Sequence, residues 1–147
     1  MAFHNCVPGN ENGKGAVKLR LSPDGKSVTE VWRNLDSKNL MSGFVIVNHK
    51  LYTTSKNKKL WCVDTEKGTV VDTLKNMSGT LIAADNKLIC YSDNGNINLI
   101  DISGPKMEMT SKFAISKGSK EHMAFPVINN GVLYIRHGKA LMAYQIK

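Results

Sequence analysis

Histidines, cysteines and a scatter of carboxylates are the groups in this 147-residue chain that could do chemistry. The histidines are His4, His49, His122 and His137, and none stands at the His-x-x-x-His spacing that puts two imidazoles on one metal. Glu121-His122 and Arg136-His137 form the best polar constellation, one pair just before the apolar run at 125–128 and the other at the end of the run at 132–136. A general base also needs a positioned partner and a shifted pKa, and neither is visible in the sequence. The cysteines are Cys6, Cys62 and Cys90. An odd count without a Cys-x-x-Cys pair argues against a disulfide framework or a zinc site. Cys62 and Cys90 sit inside apolar runs, where a free thiol behaves as a small hydrophobe. Asp93-Asn94-Gly95-Asn96 has the look of a calcium loop, but its Gly follows the Asp by two positions instead of five, so a hairpin turn is expected. There is no phosphate-cradling Gly-rich loop, no Gly-x-Ser-x-Gly elbow and no Cys/His dyad signature. The expectation is therefore no catalytic residue and no metal site.

Charge and composition narrow the class. The net charge is +8, but only Arg20, Arg33 and Arg136 among the twenty basic residues are Arg. Lysines spread along the chain, with a small cluster at Lys56, Lys58 and Lys59. Nucleic-acid sites draw on Arg forks and interleaved aromatics, so a solvated Lys-rich surface is expected and no specific nucleic acid. Hydrophobic residues make up 41% and charged residues 22%, a globular composition. No apolar run approaches the roughly 20 residues that a spanning helix needs, and mean hydropathy is −0.25. Residues 1–6 carry neither the basic nor the apolar region of a secretory leader.

The elements that must position these groups are strands. Helical periodicity is nearly absent, and short apolar or alternating runs are separated by Gly, Asn, Asp and Lys. Strands are expected near 15–21, 28–33, 43–47, 51–54, 59–63, 70–74, 80–84, 87–91, 96–102, 108–114, 125–128, 132–136 and 140–146. Asp24-Gly25, Asn94-Gly95 and Asn130-Gly131 are read as type I′ hairpin turns.

Three segments repeat the same order of parts. The first runs from Gly43 through Leu51-Tyr52 to Leu60-Trp61-Cys62-Val63-Asp64, the second from Gly79 through Leu88-Ile89 to Ile97-Asn98-Leu99-Ile100-Asp101, and the third from Phe125 through Leu133-Tyr134 to Tyr144-Gln145. Leu51, Leu88 and Leu133 are equivalent, 37 and 45 residues apart, and Asp64 and Asp101 each follow their Leu by 13 residues. The N-terminal part adds an incomplete unit closing on Trp32. A period of about 40 residues with four short strands per unit is the mark of a β-propeller blade. The fold expected is all-β: a partial propeller of four-stranded antiparallel blades, about three and a half of them. The boundaries are a partial blade at 1–40, blades at 41–76 and 77–119, and a partial last blade at 120–147.

The blade pattern is an apolar run, then Leu51-Tyr52, then Cys62-Val63-Asp64-Thr65-Glu66-Lys67-Gly68, echoed from Phe125 through Leu133-Tyr134 to Ala143-Tyr144. It resembles the PQQ-like repeat of quinoprotein alcohol dehydrogenases and BamB-type outer-membrane-assembly lipoproteins, over most of residues 13–147. In that repeat the Asp-x-x-x-Gly turn leads to a Trp that docks on the next blade. Here Thr69 replaces the Lys after Gly68, Asp72 stands near the Trp position, and only Trp32 looks like a docking Trp. Quinoprotein dehydrogenases hold PQQ and calcium with an acidic/Asn cluster and a vicinal Cys pair, and this sequence has no Cys-Cys.

The resemblance implies a non-catalytic binding or scaffolding module of a bacterial, extracytoplasmic (periplasmic) protein. It would have no cofactor of its own and would meet a protein or polymer partner on the propeller rim. Glu121, His122, Arg136 and His137 would form a rim cluster for a ligand. The alternative is a fragment of a PQQ-dependent dehydrogenase, with PQQ and calcium. Both ends of such a fan would be open, so the chain is expected either to self-associate or to continue into further upstream blades.

Overall fold

A computed structural model describes residues 2–5, 15–37, 43–55 and 57–146. Cys6, Lys56 and the expected boundary at 40/41 lie outside the described residues. The secondary structure is strand throughout: β1 (Ala2–Asn5), β2 (Ala16–Leu21), β3 (Val28–Asn34), β4 (Phe44–Val47), β5 (Lys50–Ser55), β6 (Lys59–Asp64) and β7 (Val70–Lys75), followed by β8 (Thr80–Ala84), β9 (Lys87–Tyr91), β10 (Asn96–Asp101), β11 (Glu108–Ala114), β12 (Val127–Asn129), β13 (Val132–His137) and β14 (Ala140–Gln145). They form four antiparallel meanders in chain order, β1-β2-β3, β4-β5-β6-β7, β8-β9-β10-β11 and β12-β13-β14. We call these sheets 1 to 4. The first sheet is larger than the sequence implied. β1 pairs with β2 across a ten-residue gap, so neither a tight turn nor an alternating pattern announced it.

The turns follow one rule, and of the three expected dipeptides only Asn130-Gly131 meets it. A two-residue type I′ turn needs positive φ at both central residues. Asn48-His49, Asp85-Asn86 and Asn130-Gly131 satisfy this, at the hairpins β4–β5, β8–β9 and β12–β13. In Asp24-Gly25 and Asn94-Gly95 only the Gly has positive φ. There Gly25 and Gly95 donate their N–H to Ser22 O and Ser92 O, closing longer loops with Gly at the left-handed position. Asn and Asp reach the left-handed region at low cost, which is how Asn48, Asp85 and Asn86 do without glycine.

A bulge recurs at one register. Pairing shifts between Lys18/Leu19, Cys62/Val63 and Leu99/Ile100, leaving Val31, Val71 and Thr110 as the extra residues on β3, β7 and β11. Each bulge increases local twist, and its recurrence shows that the three sheets are built alike. Trp32, Asp72 and Ser111 occupy the same place in each sheet, opposite Lys18, Cys62 and Leu99.

The core lies between sheets. One apolar cluster joins Tyr52, Leu60 and Cys62 of sheet 2 to Leu81, Leu88, Cys90 and Ile100 of sheet 3, with Met77, Ile102 and Met107 closing it. A second joins Ile89, Tyr91 and Ile97 of sheet 3 to Leu133 and Ile135 of sheet 4, flanked by Leu99, Met142 and Tyr144. Leu51, Leu88 and Leu133 are 1%, 0% and 2% exposed. Leu88 and Leu133 face the preceding sheet. Leu51 points opposite to Tyr52 on its strand, which directs it toward sheet 1. Large-to-small changes in such junctions lose transfer energy and leave a cavity. Leu60→Ala should therefore lower stability by about 2–5 kcal/mol, read as a drop in the urea midpoint. Val71→Ala, on the exposed bulge of the same sheet, should change it by no more than about 0.5 kcal/mol.

Candidate functional site

The sequence-predicted cluster divides in two. His122 sits in the segment between β11 and β12, which is held by Ile115 N–H to Gly95 O at 3.0 Å and by Thr80 Oγ1 to Ala124 O at 2.9 Å. His122 Nδ1 lies 2.7 Å from the Tyr91 hydroxyl of sheet 3. His137, at the end of β13, stacks on His122 with ring centroids 3.8 Å apart and planes 23° apart. Its Nδ1 and Nε2 meet Lys117 O at 2.9 Å and Lys120 O at 2.6 Å. The seat for His122 depends on Gly95, where a Cβ would come within 2.8 Å of His122 Cε1 and where φ is +81°.

Glu121 and Arg136 are exposed and stay apart from this stack. Arg136 adjoins His137 in a strand and so projects to the opposite face of sheet 4. Its register is nevertheless informative, because Thr54 and Tyr91 occupy the same position in sheets 2 and 3. Both bridge to the next sheet, Thr54 Oγ1 donating to Gly79 O at 2.6 Å and Tyr91 reaching His122.

The electrostatics fit a clamp. Burial raises the Tyr91 hydroxyl above its ordinary pKa, with Tyr144 adding to the effect, so the phenol stays protonated in its hydrogen bond with His122 Nδ1. Burial, and secondarily the His137 ring beside it, lowers the His122 pKa, against a smaller opposing pull from Asp93. Both nitrogens of His137 face carbonyl oxygens, which only accept; a neutral imidazole can serve one of them and a doubly protonated ring both. Three of the four ring nitrogens are thus engaged within the protein. Among the described residues no three His, Cys, Asp or Glu side chains come together as a metal site would require.

A second polar junction was not foreseen. Lys18, buried in β2 at the register of Cys62, donates from Nζ to Thr65 O at 2.7 Å and to Glu66 Oε1 at 3.0 Å. Trp32 Nε1 donates to the same carbonyl at 3.0 Å, and Asn34 Nδ2 to Gly68 O at 2.8 Å. The turn that receives them is organised by Asp64, whose Oδ1 accepts from the N–H groups of Glu66 and Lys67 at 2.8 Å each. Those bonds hold its carboxyl below the ordinary value. Asp101 does the same in sheet 3, accepting from Lys87 and Ser103, and its pKa is also lowered. Trp32 lies flat on Gly68, where a Cβ would approach the indole to 2.6 Å. At the Trp register of sheet 2, Asp72 Oδ2 instead accepts from Met107 N–H at 2.7 Å, reaching the corresponding loop of sheet 3. One signal for this network was in the sequence: Lys18 interrupts the apolar face of Ala-Val-Lys-Leu at a position that is Cys or Leu in the next two repeats.

Two of the thiols are buried among the described residues. Burial pushes Cys62 up and Cys90 up to about 12, so both remain thiols at neutral pH. A cavity of about 10 Å³ lined by Lys50, Tyr52, Cys62, Asp72, Lys106 and Met107 has room for one water and not for a ligand.

No family model matches the chain, and no curated protein matches its sequence. Solved structures do match. BamB from Moraxella catarrhalis superposes on 93% of this chain and 44% of its own, with TM-score 0.68 and 15% identity. The computationally designed Ika8 protein matches 89% of this chain and 42% of its own, with TM-score 0.64 and 10% identity. Quinohemoprotein alcohol dehydrogenase from Comamonas testosteroni matches 65% of this chain and 16% of its own, with TM-score 0.54 and 13% identity. The chain is a partial β-propeller. Its sheets are blades, and they span less than half the length of these matched chains. Among the described residues Cys62 and Cys90 lie on separate blades and are each buried, and Asp64 and Asp101 accept hydrogen bonds within their own turns.

Two outcomes follow. Gly68→Ala should destabilise by about 1–3 kcal/mol through overpacking against the indole, and by less in a Trp32→Ala background, where only the backbone penalty of φ +71° remains; a double-mutant cycle by urea unfolding measures this. His122 has a lowered folded pKa against an ordinary 6.5, so its stabilisation is complete above about pH 6.5 and is lost as pH falls through the folded value. The melting temperature should thus fall between pH 7.5 and 5, and the fall should be shallower in His122→Gln.

Proposed function

We propose that this chain is a non-catalytic binding or scaffolding module of a BamB-like, extracytoplasmic propeller protein. The polar side chains that could have built a site are engaged in joining blades, whereas a backbone edge is offered outward. In blades 1 to 3 the third strand (β2, β6 or β10) carries an outer strand, β3, β7 or β11; among the described residues no strand pairs with the outer edge of β14. The commitment of Lys18, Asp64, Asp101, His122 and His137 to contacts within the fan carries the reading; recognition of an extended partner segment by strand addition, with side-chain pockets supplying specificity, suits an antiparallel blade. The exposed Glu121 and Arg136 flank the same blade and suit a charged partner peptide. Likeness to BamB over 93% of the chain is likeness of fold, and it is compatible with the scaffold reading.

The test has two arms. A synthetic peptide with the sequence of β7 should perturb backbone amide resonances of residues 140–145 before any others. Titration with PQQ and calcium should give no saturable binding. Saturable quinone binding with dye reduction by an alcohol would replace the scaffold reading with the dehydrogenase one.

A further inference from the structure

Asn-Gly occurs three times in the chain, at 12–13, 94–95 and 130–131, and the first lies outside the described residues. This dipeptide can modify itself. The backbone nitrogen of the glycine, stripped of its proton, attacks Cγ of the asparagine. The N–Cγ bond forms, the Cγ–Nδ2 bond breaks, and ammonia leaves with the proton. Water then opens the resulting succinimide at either carbonyl, giving an aspartyl residue or an isoaspartyl one whose main chain runs through the former side chain. Glycine favours the attack because no Cβ obstructs the approach. A fold permits the reaction where the glycine N–H and the asparagine side chain are both free, and opposes it where they are held.

The two described copies differ on both counts. Gly95 is buried and held from both sides: its N–H donates to Ser92 O and its carbonyl accepts from Ile115 N–H, each at 3.0 Å. Asn94 Oδ1 accepts from Asn96 Nδ2 at 2.8 Å. At the tip of the β12–β13 hairpin, Asn130 and Gly131 are exposed. Gly131 O accepts from Ile146 N–H at 2.8 Å and from Gln145 Nε2 at 2.9 Å. Among the described residues no hydrogen bond engages Gly131 N–H or the Asn130 side chain. This exposure belongs to the hairpin itself. The equivalent tips Asn48-His49 and Asp85-Asn86 are exposed too, in blades that have a neighbour on each side. There also the second residue's carbonyl is tied, His49 O by Thr65 N–H and Asn86 O by Ile102 N–H, each at 3.0 Å. Of the three tips, only that of blade 4 puts glycine after asparagine.

We propose that Asn130-Gly131 is a site of spontaneous deamidation in the folded chain, and that its isoaspartyl product loosens the first strand of blade 4. The isoaspartyl form adds a methylene to the main chain inside a two-residue turn whose length sets the register of its strands. β12 has only three pairs with β13, Val127↔Tyr134, Ile128↔Leu133 and Asn129↔Val132, and Ile128 packs in the cluster between blades 3 and 4. Each event also removes one unit of the +8 charge.

Incubation of the 147-residue chain in mildly alkaline buffer, followed by trypsin and mass spectrometry, tests the site. Tryptic fragments 1–14, 88–106 and 121–136 carry one Asn-Gly each. Fragment 121–136 should gain the mass difference between –OH and –NH2, localised at Asn130. It should do so at least about tenfold faster than fragment 88–106 does at Asn94, where hydrogen bonds must open first. In guanidinium the gap should close, because the fold creates it. Asn130→Gly, which keeps the left-handed turn, should abolish the gain in 121–136. Equal rates at Asn94 and Asn130 in the native chain, a gap that persists in guanidinium, or a gain that survives Asn130→Gly would each overturn the site. The isoaspartyl chain, separated by ion exchange, should exchange the amide hydrogens of residues 127–135 faster than the unaged chain. Unchanged protection there would overturn the loosening.

Discussion

A three- or four-stranded antiparallel sheet has two faces and cannot bury either by itself, and that constraint organises this molecule. The apolar residues of β5, β6, β9, β10, β13 and β14 find cover only against the sheet before or after. Stability therefore resides in junctions, and the side chains with chemical potential have been drawn into them. Lys18, Trp32 and Asn34 converge on two carbonyls of one turn. Asp72 meets a backbone N–H of the next blade, and His122 is caught between Tyr91 and His137. These polar contacts are directional, so they fix how one blade sits on the next, while the hydrophobic clusters supply most of the driving force.

The three junctions differ in character. Blade 1 meets blade 2 through hydrogen bonds to the Asp64–Gly68 turn, blade 2 meets blade 3 through an aliphatic core with a carboxylate at its margin, and blade 3 meets blade 4 through a mixed aromatic and imidazole contact. Only the first uses the Trp-on-Gly packing that the repeat resemblance implies. The blade 3 loop that would receive a second Trp carries Gly104-Pro105-Lys106 and is two residues longer, between equivalent paired positions, than its blade 2 counterpart. Asp72 suits that loop because a carboxylate needs only an N–H to meet, where an indole needs a flat glycine.

Much of the architecture was legible in the sequence, because alternation and turn residues are local signals. Thirteen of the fourteen strands among the described residues, and the placement of Leu51, Leu88 and Leu133, can be read from spacing alone. β1 could not, since its partner β2 begins more than ten residues later in the chain and no turn dipeptide in the sequence announces the pairing. The type I′ turns were missed at Asn48-His49 and Asp85-Asn86 because neither contains Gly, and the Asp-Gly and Asn-Gly signals were read without the loop length that decides the turn class. The histidine cluster was half legible. Sequence position brought His122 and His137 near one blade, but strand parity sends Arg136 to the opposite face, and parity depends on a register that only the paired neighbour fixes. Buried Lys18 was hidden by the habit of placing lysine at the surface.

Amide hydrogen exchange on the Leu88→Ala variant probes most directly whether blades are stable only through their neighbours. Leu88 is fully buried and projects from blade 3 into blade 2. If junctions hold the fold, protection should fall in β5 and β6 of blade 2 as much as in β9 and β10 of blade 3. Loss confined to blade 3, with β5 and β6 as protected as in the native chain, would show that each sheet is stable alone and would contradict this account.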